Sequence, residues 1–404
     1  MKNSAVASED TTVTARLALY QRAGGALTPV VTTVVAFLLA GLVVLVTTGK
    51  NPLPVYRGIF DGTGLPWLVH WLVDVRAIGG TQDLYAAEAD AVAVSAISLQ
   101  QTLILTSTLV LTALAVAFAF RSGLFNIGGQ GQYLVGLVVA LAVGSELTGV
   151  PRGIHIPLAL FCAALAGAVW AGIAGLLRAT VGAHEVITTI MLNWIAYWIG
   201  SYLFSIGGPL QSDTQTSVPI SNDVQESAKL HVLWGGVQGL HLGVLVALAA
   251  LLAFWLIMAR TTLGYRVRAV GANPEAARYG GIGVGRSYFV AMALSGLFAG
   301  LAGAIDVLGW QHHYSQLDIQ QSDIGFVGIA VALLGRNTAV GIFFSSLLFG
   351  ALLTGTSSRN LNPEIFDPEL AGNLTLIIQG LVVLFVGADL LVLWLWRARR
   401  RLRR

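Results

Sequence analysis

The segment Arg121-Ser-Gly-Leu-Phe-Asn-Ile-Gly-Gly-Gln-Gly-Gln132 interrupts apolar sequence with glycines and the amides of Asn126, Gln130 and Gln132. Glycines there bend or break a helix, and the freed backbone groups and amides can then bind a polar solute. The same residues equally suit a tight turn between closely packed helices. A second constellation runs from His184 to Trp198. Thr189, Asn193, Tyr197 and Ser201 recur at every fourth residue and therefore share one helical face. On a membrane helix such a polar stripe points into the bundle, towards either a pathway or a neighbouring helix.

A third stretch, Arg260–Arg286, is too polar to span a membrane and too long for a simple turn. Asn273 is placed to cap a short helix with Pro274 in its first turn and Glu275 near its positive end; Gly280 is placed to stop it. A short helix with a basic approach suits docking of a soluble partner, although an ordinary positively charged loop has the same composition.

Enzymatic signatures are missing. Gly49-Lys50 is followed by Asn51, so no phosphate-cradling loop forms and the chain should not hydrolyse ATP itself. His184-Glu185 lacks the second histidine of a zinc helix, because Thr188 stands four residues on. No strand precedes the glycines of Gly280–Gly285, which excludes a dinucleotide fingerprint. The single cysteine, Cys162, cannot form an internal disulfide. We expect no catalytic residues, no metal, no cofactor and no nucleic-acid partner.

What must position these groups is a membrane bundle. Of 404 residues 55% are hydrophobic and 11% charged, whereas a soluble domain carries about 25% charged residues. Spans of roughly 17–25 apolar residues are predicted at Leu27–Thr47, Leu99–Phe120, Phe125–Val143, His155–Leu177, Val186–Ile206, Leu240–Met258, Ser287–Leu308, Ala339–Leu353 and Leu374–Trp396. Ile324–Leu334 is too short to cross as a straight helix and reads as a broken or re-entrant piece. The fold class is thus all-α, a polytopic integral membrane protein of about ten spans.

Alternating these spans from a cytoplasmic N-terminus places most of the 23 Lys+Arg inside, including the arginines of the tail, while Lys50, Arg57, Arg76, Arg152, Lys229 and Arg359 lie outside. The positive-inside rule supports that orientation, with both termini cytoplasmic. The expected organisation is a polar segment 1–26, which is no cleaved signal, then a permease domain 27–396 and a basic tail 397–404. Outer loops cover 49–98 and 207–239, and an inner coupling loop covers 260–286. Trp67, Trp71 and Trp234 are candidates for headgroup anchors, and the tail would lie against anionic lipid. Gly296, Gly300 and Ala304 form a small-residue packing stripe. Asp389 reads as nearly the only intramembrane acid, either functional or in an interfacial ion pair.

Four segments together carry a resemblance: Gly123–Gln132, Glu185–Asn193, Gly271–Gly280 and Gly328–Arg336. In this order they resemble the permease subunits of bacterial ABC importers for nucleosides and simple sugars, the branched-chain amino acid/ribose permease superfamily. The match runs from about Leu99 to the end of the chain. It implies alternating access in the bacterial plasma membrane, with a cytoplasmic ABC ATPase, a second homologous permease subunit and an extracellular substrate-binding lipoprotein as partners. Carried onto this chain, the ATPase-coupling helix comprises Asn273, Pro274, Glu275, Ala276, Ala277, Arg278, Tyr279 and Gly280, with Ala276 and Ala277 in the tight contact. The pathway is lined or shaped by Phe125, Asn126, Gln130, Gln132, Thr189, Asn193, Trp194 and Tyr197.

The Leu-Phe-Asn-Ile-Gly-Gly-Gln-Gly-Gln form looks closest to purine-nucleoside permeases, and a nearly uncharged lining of amides and aromatic rings fits a neutral nucleoside. Ribose or another simple sugar is the alternative cargo. A stand-alone secondary transporter is a further alternative, which would need intramembrane ionisable residues for ion coupling. The polar N-terminus and the outer loop 49–98 are longer than the family leads one to expect.

Overall fold

The computed structural model describes residues 30–31, 33–46, 49, 51–68, 82–236, 239–357, 376–378, 380–381 and 384. Two compact units divide the chain: Met1–Val55 with Gly372–Arg404, and Tyr56–Ala371. In the first, Thr33–Val46 (α1) is a short apolar helix. The expected spans Leu27–Thr47 and Leu374–Trp396 lie partly, and Trp71, Asp389 and the tail wholly, outside the described residues.

After α2 (Pro52–Gly62), the helices of the second unit are α3 (Gln82–Arg121), α4 (Gly129–Glu146), α5 (Arg152–Thr180), α6 (Glu185–Leu203) and α7 (Gly243–Arg260). They continue as α8 (Thr262–Ala272), α9 (Pro274–Tyr279), α10 (Val284–Asp306), α11 (Gln316–Gln321), α12 (Ile324–Leu334) and α13 (Ala339–Gly355). Among the described residues six helical stretches are long and apolar enough to cross a membrane, with α1 and α13 as shorter apolar helices. One of the six is Gln316–Leu334, which is α11 and α12 taken together. The chain is a polytopic, helical membrane protein; among the described residues strands are confined to a small hairpin, β1 (Val232–Trp234) with β2 (Leu240–His241).

Helix α3 is the central post, packed by α7, α10, α12 and α13. Its 40 residues rise about 60 Å, twice a bilayer core of about 30 Å. It begins well before the apolar run at Leu99, so the described residues of the range 49–98 include two helical pieces. The reason is local: Gln82–Ser98 is rich in alanine, the strongest helix former, and has no proline or glycine. Two of the hydroxyls on this post turn back on their own helix. Thr106 donates to Thr102 O at 2.6 Å and Ser107 to Leu103 O at 2.7 Å.

Around the post, α4, α5 and α10 cross at a point made of small residues. A Cβ on Gly300 would collide with Ala163 O, and one on Gly136 with the backbone of Gly300. Gly296 and Gly167 meet backbone to backbone in the same crossing. The stripe predicted at Gly296, Gly300 and Ala304 is therefore a close-packing surface, where dispersion between backbones replaces the hydrophobic force that lipid cannot provide.

The loop 207–239 closes one end of the bundle by backbone hydrogen bonds. Gln225 N donates to Gly144 O at 2.9 Å, Leu230 N to Leu308 O at 2.8 Å, and Val224 N to His312 O at 2.7 Å. These satisfy carbonyls left open near the ends of α4 and of the π-turn Val307–Gln311 that continues α10. Trp67 and Trp234 pack on one another with ring centroids 5.0 Å apart.

Candidate functional site

Helix α4 begins at Gly129, not at Phe125. Residues 124–127 have no regular secondary structure and follow Gly123, whose φ of +77° is open to glycine. The Asn126 side chain then accepts from Gly128 N at 2.8 Å and sets up the turn into the helix.

The amides expected to line a pathway divide into two sets. Asn126 and Gln132 bind each other reciprocally: Asn126 Nδ2 donates to Gln132 Oε1 at 2.9 Å, and Gln132 Nε2 to Asn126 Oδ1 at 3.0 Å. Asn126 also donates to Ser295 Oγ on α10 at 2.7 Å. Both residues are 1% exposed and line neither of the two cavities described below; they clamp the start of α4 to α10. Thr189 is likewise a packing residue, buried against Gly128 and donating to Val186 O at 3.1 Å. Phe125 sets its ring edge-on to Phe120 at 4.8 Å. Desolvation explains this pairing: a buried amide in a membrane bundle must find protein partners, and Asn126 found one on a neighbouring helix.

The other set comes together. Gln130, Asn193, Trp194 and Tyr197 line one cavity of about 310 Å³, with Leu134 and Ile190 on the same side and residues 320–323 and Phe326 opposite. Asn193 reaches it from α6 while clamping α4: it accepts from Gly131 N at 2.8 Å and donates to Ile127 O at 3.0 Å. Trp194 and Tyr197 present an aromatic wall, their rings edge to face with centroids 5.6 Å apart.

The opposite wall is the break between α11 and α12. Ser315 caps α11 with a complete capping box to Asp318. The chain leaves the helix at Ser322–Asp323 and re-enters it at Ile324. Gln130 bridges this break: its Nε2 donates to Ser322 O at 2.9 Å, and its Oε1 accepts from Gly325 N at 2.8 Å. It therefore satisfies an orphan donor of the half-helix that would otherwise be left bare. Helix α12 has 11 residues and rises about 16 Å, roughly half the apolar thickness. A break inside an apolar span is the kind of arrangement in which irregular backbone can bind a solute.

A second cavity, of about 240 Å³, lies on the other side of the break and shares Gln321, Ser322 and Asp323 with the first. Its floor is Asp306, which is 2% exposed. Three donors converge on that carboxylate: Tyr133 OH at 2.6 Å, Thr108 Oγ1 at 2.8 Å and Trp310 Nε1 at 3.0 Å. Asp306 corrects the expectation that Asp389 is nearly the sole intramembrane acid. Asp306, Asp323 and Phe326 were the residues that sequence reasoning missed. The signal was present, since one acid ends an apolar run and the other immediately precedes the half-helix. No Lys, Arg or His lines either cavity.

The short helix α9 forms as its sequence predicts. Asn273 caps it by accepting from Ala276 N at 3.0 Å, Pro274 stands in its first turn, Glu275 pairs with Arg278 at 3.3 Å, and Gly280 ends it. One detail differs. Ala277 is buried against Val270 and Val284 of its own chain, so it is not available for an outward contact. Ala276, Arg278 and Tyr279 are exposed, Tyr279 at 94%. Beside them Tyr265, Ala269 and Ala272 help to line a groove of about 290 Å³.

Residues 98–387 match the family described as branched-chain amino acid transport system, permease component. The chain belongs to this permease family. The matched range takes in α4 to α13, and with them both cavities, the broken helix and α9. The permease is 42% identical over 284 residues to the guanosine ABC transporter permease protein NupP of Bacillus subtilis (strain 168), covering 69% of this chain and 78% of that one. It is 31% identical over 379 residues to the nucleoside ABC transporter permease protein NupB of Lactococcus lactis subsp. cremoris, covering 91% and 92%. It is also 36% identical over 301 residues to the glucose ABC transporter permease protein TsgB13 of Haloferax volcanii, covering 72% and 76%. No solved structure matches it. The permease is a multi-pass membrane component and not itself an enzyme; its family implies association with an ATPase and a substrate-binding protein.

Proposed function

We propose that this permease carries nucleosides, purine nucleosides foremost, through a bacterial plasma membrane by alternating access. The observation that carries this reading is the cavity at the helix break. Aromatic rings of Trp194, Tyr197 and Phe326 offer faces for a base, while Gln320, Gln321, Ser322 and Asp323 offer partners for hydroxyls. The names of NupP and NupB point the same way. The name of TsgB13 favours a sugar cargo. Three aromatic residues on a cavity of this size fit a base plus a ribose better than a sugar alone.

Around this site we place the remaining machinery. The permease domain 27–396 runs between cytoplasmic termini, with the loop 260–286 inside and the loop 207–239 outside, as the arginine distribution supports. Helix α9 and its groove receive the ATPase, through Ala276, Arg278 and Tyr279. A second, homologous permease subunit completes a heterodimer, and a lipoprotein delivers substrate from outside.

Proteoliposomes holding the complete complex, with ATP inside and the receptor outside, test the reading. Labelled guanosine or adenosine should accumulate and should stop accumulating when the ATPase is inactivated by substitution. Uptake that continues without ATP hydrolysis, or accumulation of glucose with nucleosides ignored, refutes it.

A further inference from the structure

The polar groups around the helix break are not equally free to meet a substrate. Gln130 spends its amide on Ser322 and Gly325, and Asn193 spends its amide on Gly131 and Ile127. Of the three carboxylates lining the paired cavities, Asp306 is held by Tyr133, Thr108 and Trp310. Asp318 is held in the capping box of Ser315. Asp323 differs: it is exposed, its side chain caps nothing, and it borders both cavities. It stands at the start of α12, and as a carboxylate it is an acceptor-only group with no N–H or O–H of its own.

We propose that Asp323 is the specificity-determining residue of the transport site, binding the vicinal hydroxyls of a ribosyl group through its two carboxylate oxygens while the aromatic wall takes the base. This rests on the nucleoside reading above. Two adjacent hydroxyls donating to one carboxylate form charge-assisted bonds that water replaces poorly once the cavity is filled. A 2′-deoxyribose supplies one donor fewer. A 5′-phosphate meets Asp323 and Asp306 with no compensating cation in either lining, so the same site rejects nucleotides.

Uptake by the complete complex in proteoliposomes, with guanosine, 2′-deoxyguanosine and guanosine 5′-monophosphate, tests this. Receptor affinity for each is measured separately and divided out. The wild type should favour guanosine over the deoxy compound by roughly tenfold in KM, the loss of one charge-assisted bond. Asp323→Asn should bring the two within about twofold, and Asp323→Glu should restore most of the preference. An unchanged ratio in Asp323→Asn overturns the assignment. Equal loss of both nucleosides in the Asn and Glu variants, with kcat falling at constant ratio, also overturns it, because that marks a structural role at the helix start. A wild type that carries none of these compounds refutes the nucleoside reading instead, before any variant is compared.

Discussion

Gln130 accepts the backbone N–H of Gly325 at 2.8 Å across a separation of 195 residues in sequence. One side chain on the first turn of α4 thereby stands in for the missing preceding turn of the half-helix α12. A Cβ on Gly325 would collide with the backbone of Gln130, so the two residues are matched by shape as well as by hydrogen bonding. Gln130→Ala leaves that N–H and Ser322 O without their side-chain partner. We expect roughly 1–3 kcal/mol of destabilisation, read as a lower melting temperature of the detergent-solubilised complex, and impaired uptake. Gly325→Ala should be worse, since backbone cannot retreat. Normal melting and normal uptake in both variants would show that the break is not held by this latch.

The reciprocal pair Asn126–Gln132 gives a prediction of the opposite kind. Because both amides are buried and satisfied by each other, neither should touch substrate. Asn126→Ala and Gln132→Ala should each lower stability. Their double variant should be less damaged than the sum, with a coupling of about 1 kcal/mol. The KM for nucleoside, in whatever protein folds, should stay within about twofold. A selective rise in KM would return these residues to the pathway.

Gly300 sits where α4, α5 and α10 cross, against Ala163 O and Gly136. Gly300→Val forces two helices apart and should cost at least the upper end of the roughly 1–3 kcal/mol typical of overpacking. The measurable result is loss of membrane-inserted, monodisperse protein. Gly281→Ala is not the right control, because Gly281 has a φ of +78°. Gly153→Ala, with open space around it on α5, should be silent.

Helix α9 separates docking from folding. Ala276→Glu and Tyr279→Ala alter its exposed side and should reduce substrate-stimulated ATPase activity while the melting temperature holds. Ala277→Glu drives a carboxylate between Val270 and Val284 and should destabilise by roughly 1–3 kcal/mol before any effect on coupling is read. If Ala276→Glu and Tyr279→Ala leave the ATPase fully stimulated, α9 is not the coupling element.

Sequence alone determined the class of this protein. Apolar runs too long and too poor in charge for water forced a helical bundle, because backbone polar groups in lipid must be satisfied within a segment. Local rules also settled α9, whose cap, proline and terminal glycine act within a few residues of one another. The small-residue stripe on α10 was legible for the same reason, since glycine at four-residue steps has few other uses in a membrane helix.

Tertiary structure decided which polar residues face a cavity and which hold helices together. Asn126 and Asn193 are the same residue type in similar apolar settings, yet only Asn193 reaches the cavity. The difference lies in partners 60 to 170 residues away in sequence, which no local pattern encodes. The three-dimensional fold likewise brought Asp306 to the same cavity as Asp323 at the helix break and turned Ala277 inward. Hydrogen-bond satisfaction in a water-poor interior is a global condition: each buried amide takes whichever donor or acceptor the packing delivers.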